Sequence, residues 1–209
     1  MVGSFSNLSS NGTNSSLSIS LNFLFFLSIF LIIKKIDYKG LPTFEEKEAD
    51  LNKQLKWQKD ESQKIETFLR NAKRPVVLCG AGVGLANMQH QVNDWLETTN
   101  IPCVSSWNGM TYVKHDLPNY LGQIGVYGNR GANAVLQNAD ALLVLGSRLD
   151  NRQRSGNAAS FAPCANVLVV DVDAQELQKY DADGYDTLCA NLSDVELPKE
   201  VILQQPWQA

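Results

Sequence analysis

The chain has 209 residues, enough for one large domain or one domain with appendages. Its 18 basic and 22 acidic residues give a formal net charge of −4, which argues against a general nucleic-acid binder, whose footprint would be basic. A hydrophobic content of 44% with 19% charged residues excludes wholesale disorder.

The charge is unevenly spread, and residues 1–33 carry none. Residues 4–20 are dominated by Ser and Asn, with sequons at Asn7, Asn11 and Asn14. Leu17 to Ile33 is apolar apart from Ser18, Ser20, Asn22 and Ser28, and Lys34, Lys35 and Lys39 follow at once. As a helix that run reaches about 25 Å, just short of a bilayer core. The basic flank would leave the main domain cytoplasmic. A cleaved signal has its charge before the apolar run and a transit peptide is Arg-rich; neither pattern is present. Three readings of this helical or unstructured N-terminal extension follow: a single membrane anchor at 17–33, a helix packed against a partner, or a segment that is not native coding sequence.

Residues 36–60 read as a linker, with Gly40-Leu41-Pro42, running into a charged helix. Ile65, Phe68, Leu69 and Ala72 share one helical face, and Arg74-Pro75 stops that helix. Val76-Val77-Leu78-Cys79 is a short apolar run suited to a strand buried on both faces. Gly80-Ala81-Gly82-Val83-Gly84 turns the chain into a helix over Leu85–Thr98. Further strands are expected at Ile101–Ser105, Ala141–Leu145, Asn166–Val170 and Thr187–Cys189, with helices at Ala132–Asn138 and Ala174–Tyr180. Strands alternating with helices predict a doubly wound parallel α/β sheet with right-handed crossovers.

Cys79, Cys103, Cys164 and Cys189 form no C-x-x-C pair, and His90 and His115 lie near none of them. Buried thiols in a reducing compartment are expected rather than a zinc site. No Ser-His-Asp set is legible, and His115 reads as a loop residue before it reads as a general base.

In an open α/β sheet the ligand sits outside the carboxyl ends of the strands. Three polar clusters fall at such ends. Gly80-Ala81-Gly82 lacks the third glycine of a dinucleotide fingerprint, so a tight strand–helix turn remains the plain alternative to a phosphate cradle. Arg148, Arg152 and Arg154 follow one strand; they are a candidate diphosphate clamp or a solvated basic loop. Asp171 and Asp173 end another, as acceptors for ribose hydroxyls or as caps of the next helix.

The stretch Gly122–Arg152 is more specific. Gly125-Val126-Tyr127-Gly128, Ala132-Asn133-Ala134-Val135, Ala139-Asp140, Leu145-Gly146, Arg148, Asp150 and Arg152 resemble the central domain of acetolactate-synthase-like, thiamine-diphosphate-dependent enzymes. Ala72–Val77 with Gly80–Val83 before it, and Val169–Asp173 after, extend the resemblance over residues 61–195.

The resemblance implies a Rossmann-like fold of the DHS-like NAD/FAD-binding type, followed by a tail at 196–209. It implies a parent enzyme that decarboxylates a 2-keto acid and carboligates or releases the product, with thiamine diphosphate and Mg2+ held by two other domains. It implies a homo-oligomer, dimer or tetramer. It also implies FAD or ADP in the central domain: Gly80, Ala81 and Gly82 on the adenosine side, Gly125, Tyr127 and Gly128 along the middle, Arg148 at the diphosphate and Asp171 at the ribose. Val126-Tyr127 departs from the Met-His usual in acetolactate synthases, and Leu149 from an aromatic, which weighs against flavin. No Gly-Asp-Gly motif is present, so the chain by itself is expected to be inactive, with residues 1–35 standing in place of an upstream domain. The rival from another class is a non-catalytic module that reads NAD, FAD or ADP, membrane-tethered if residues 17–33 span; a purely structural remnant is the third.

Overall fold

The computed structural model describes residues 59–199 and 201. The expected anchor, the linker and most of the C-terminal tail lie outside these residues. Among the described residues no helix is long and apolar enough to cross a membrane.

Helix α1 (Lys59–Arg70) leads into β1 (Pro75–Cys79), every residue of which is buried. A single turn, α2 (Gly82–Leu85), precedes α3 (Gln89–Thr99), and β2 (Cys103–Ser105) follows. Then come β3 (Tyr120–Gln123), α4 (Arg130–Asn138) and β4 (Ala141–Leu145). A short α5 (Asn151–Arg154), β5 (Asn166–Asp171), α6 (Ala174–Leu177), a 3-10 turn (Gln178–Asp183) and β6 (Asp186–Cys189) complete the order. The six strands form one sheet in the order β3-β2-β1-β4-β5-β6, and every pairing is parallel. This is the doubly wound α/β fold expected from the alternation of strands and helices.

Apolar runs form the strands because both faces of the sheet are covered. Successive residues point to opposite sides. Val77, Cys79, Leu143, Leu145, Leu168 and Val170 pack with Ile65, Leu69, Trp95 and Leu96 of α1 and α3. Val76, Leu78, Leu142, Val144, Val167 and Val169 pack on the other side with Leu136, Leu177 and Tyr180. Each such side chain contributes about 1.5–3 kcal/mol by leaving water. The Trp95 indole N–H donates to the Pro198 carbonyl at 2.8 Å, holding the segment after β6 against α3.

Three details depart from the sequence reading. The helix expected at Leu85–Thr98 is two helices, because Asn87 takes a left-handed φ of 56° between them. The helix expected to reach Tyr180 tightens into 3-10 geometry after Leu177. A sixth strand, Tyr120–Gln123, was not expected; it is only half-buried and contains Gly122 at φ 101°. Of the cysteines, Cys79 and Cys103 are buried as expected, with their sulfurs 3.8 Å apart, but Cys189 is half-buried and Cys164 exposed.

Candidate functional site

The loops leaving β1, β2, β4, β5 and β6 at their carboxyl ends surround a cleft of about 470 Å³. Strand order reverses beside β1, between β1 and β4, which is where a doubly wound sheet opens a crevice. Ala81, Gly82, Arg148 and Asp171, four of the expected site residues, line this cleft.

The floor is main chain. Gly80 N–H donates to the Leu145 carbonyl at 2.8 Å and Gly82 N–H to the Gly146 carbonyl at 2.9 Å, so the β1 loop continues the ladder with the β4 loop. A Cβ on Gly82 would lie 2.6 Å from Gly146 Cα, and one on Gly80 would lie 2.1 Å from Gly146 O. These glycines are therefore required by loop–loop contact, and their N–H groups are directed into the fold rather than at a ligand.

The polar walls come from single turns. After β4, Leu149 takes a φ of 45° while fully buried, an unusual conformation for a branched side chain. Asp150 then caps α5, its carboxylate accepting from Arg152 N–H at 2.8 Å and Gln153 N–H at 3.2 Å. Ser147 donates to Gln153 Oε1 at 3.0 Å. Of the three arginines in this stretch only Arg148 lines the cleft, where it meets Asp173 at 3.3 Å. Arg154 instead pairs with Asp183 at 2.6 Å, so the three do not form one clamp.

Across the cleft, Asp171 ends β5 and is 8% exposed. Burial pushes its carboxyl pKa up, while the Asp173 N–H at 3.0 Å and the Arg148 charge pull it back. Asp173 is a helix cap, accepting from Gln175 and Glu176 N–H, as the plainer reading of that residue had it. A cation and a half-desolvated carboxylate over a backbone floor can receive an anion and neighbouring hydroxyls.

Gly125, Tyr127 and Gly128 lie on the turn after β3, beside the cleft and outside its lining. Asn133 clamps this turn through both Gly125 N–H and Gly125 O, and Val126 N–H reaches the Arg152 carbonyl at 3.1 Å. Tyr127 is 77% exposed. His115 is a loop residue, its Nε2 sharing a hydrogen bond with the Met110 carbonyl at 2.9 Å. Ser106, Asn108, Ser147, Gln153 and Asn191 also line the cleft and were not singled out from sequence. Ser106, Asn108 and Asn191 are lone polar residues just beyond a strand end, and that position is the one signal that could have found them; Ser147 and Gln153 sit within the polar stretch around Arg148. Among the described residues no group of three or more His, Cys, Asp or Glu is placed to hold a metal ion.

Residues 62–191 match the family described as thiamine pyrophosphate enzyme, central domain. The chain belongs to that family. Acetolactate synthases are among the relatives of this central domain. It is 34% identical over 119 residues to the acetolactate synthase isozyme 2 large subunit of Escherichia coli (strain K12), covering 57% of this chain and 22% of that protein. It is 35% identical over 142 residues to the acetolactate synthase large subunit of Lactococcus lactis subsp. lactis (strain IL1403), covering 67% of this chain and 23% of that protein. The isozyme 1 large subunit of Escherichia coli is 37% identical over 112 residues, 54% of this chain and 19% of that protein. The chain thus spans about a fifth of the length of the relatives it matches. The match to a thiamine enzyme's central domain favours that reading over a free-standing NAD or FAD module.

Proposed function

We propose that residues 61–195 are the nucleotide-carrying middle of an acetolactate-synthase-like enzyme that decarboxylates and carboligates 2-keto acids as a homo-oligomer in the cytoplasm. Bound thiamine diphosphate, held with Mg2+ by other domains, supplies the electron sink for that chemistry. The role of this chain is binding and orientation. Its cleft takes the ADP moiety common to ADP and FAD: Arg148 leaves Asp173 to face the diphosphate, and Asp171 accepts from ribose hydroxyls. The observation that carries this reading is the convergence of Ala81, Gly82, Arg148 and Asp171 on one cleft of about 470 Å³, a volume suited to a small ligand. A flavin would extend past the cleft onto the turn of Gly125, Tyr127 and Gly128.

Calorimetric titration of the 209-residue chain with ADP and with FAD tests both parts. Both ligands bind, and Arg148→Ala weakens each by about 1.5–3 kcal/mol, the range for a charged hydrogen bond. An unchanged dissociation constant removes Arg148 from the site. FAD binding no tighter than ADP removes the flavin and leaves the nucleotide.

A further inference from the structure

Resting on the nucleotide reading of the cleft, we propose that Tyr180 is a positioning residue for Arg148: its hydroxyl holds the Arg148 carbonyl and so fixes the turn that carries the guanidinium over the cleft. Tyr180 comes from the 3-10 turn after α6 and is fully buried. Its O–H donates to the Arg148 carbonyl at 2.8 Å. Lys179 Nζ donates to the same oxygen at 2.5 Å, so two donors from one turn converge on one peptide group.

That peptide group joins Arg148 to Leu149, whose φ of 45° is an uncommon one for a leucine. The direction of the Arg148 carbonyl and the φ of Leu149 are set by the orientation of the same rigid peptide plane. Releasing the carbonyl lets Leu149 return to a negative φ and rotates the Arg148 backbone away from the rim. The guanidinium has little other anchorage: its side chain is 66% exposed and meets Asp173 at 3.3 Å. Its aim is thus decided by the backbone beneath it.

The hydroxyl is itself well placed. The Tyr180 ring stacks on Tyr185 with centroids 5.7 Å apart, and the Arg154 guanidinium lies 5.6 Å from its centre while bonded to Asp183. Burial pushes the Tyr180 pKa upward, which keeps the group an O–H donor across the physiological range.

The test is a cycle of ADP titrations on the full chain, with Tyr180→Phe, Arg148→Ala and the double variant, beside a crystal structure of Tyr180→Phe combined with Lys179→Met, which removes both donors to the carbonyl. Tyr180→Phe is expected to weaken ADP about three- to tenfold, the equivalent of one lost neutral hydrogen bond, and to add almost nothing once Arg148 is gone. The Leu149 φ is expected to turn negative in that crystal, where neither donor to the Arg148 carbonyl remains. The same loss in both backgrounds, no loss at all, or a Leu149 φ that stays positive overturns the positioning role. Should Arg148→Ala bring binding below detection, the Leu149 φ decides. Wild-type chain that fails to bind ADP overturns the nucleotide reading, and the positioning role with it, a result distinct from binding without coupling.

Discussion

Among the described residues Asp171 is the one buried carboxylate, and its surroundings pull its pKa in opposite directions. Burial prevails and raises it, so the folded state holds the proton more tightly than the unfolded chain. Wild-type stability therefore falls as pH rises through the carboxylate range and levels off above the raised pKa. Asp171→Asn is expected to be more stable than wild type at pH 7. That gain shrinks as pH falls through the raised value and is gone below the ordinary carboxylate value of about 3.9. Urea unfolding of both proteins at neutral and acid pH checks this; a variant less stable at pH 7 would mean that Arg148 and the Asp173 N–H outweigh burial. Asp171 and Arg148 were legible in the sequence because each stands just after an apolar strand. Ser106, Asn108 and Asn191 stand in comparable places, but a lone Ser or Asn in a loop has no pattern to distinguish it.

At the scale of elements, the contact between the β1 and β4 loops sets the height of the cleft floor. Gly80→Ala would place a methyl 2.1 Å from the Gly146 carbonyl oxygen and 2.6 Å from Ser147 Cβ, where main chain cannot yield cheaply. Its stability is expected to drop by about 1–3 kcal/mol, the usual penalty for overpacking, readable as a lower urea midpoint with unchanged slope. A midpoint equal to wild type would show that the two loops can part. The central strands were legible because Val77, Leu143 and Val169 belong to runs buried on both faces, which leave little room for another assignment. Strand β3 was not, because its Tyr-Leu-Gly-Gln edge is half-buried and no run of branched apolar residues announces it. The break between α2 and α3 rests on Asn87 alone, and asparagine in a helical pattern is weak evidence of a left-handed residue.

For the whole molecule, the family assignment and the share of its relatives that the chain spans point the same way. The match is to a thiamine enzyme's central domain, and the cleft is lined by one cation, Arg148, and two carboxylates, Asp171 and the Asp150 that caps α5. The purified 209-residue chain is expected to consume no pyruvate when given thiamine diphosphate and Mg2+, measured by loss of the keto acid. Turnover above the no-protein control would require catalytic groups within residues that the fold does not yet account for. The doubly wound architecture was legible in the alternation of strands and helices, but the reaction class was not. It came from the resemblance of Gly122–Arg152, since folds of this class host many unrelated chemistries.

The touching of Gly82 and Gly146 has a kinetic consequence. With main chain already hydrogen-bonded to main chain between the β1 and β4 loops, these two loops leave no gap between them for a guest to enter. A nucleotide would rest on that joined floor, between the walls that the other loops raise. Its residence time would then be governed by whatever covers that floor and by how firmly Arg148 is aimed, and not by any breathing of the sheet beneath.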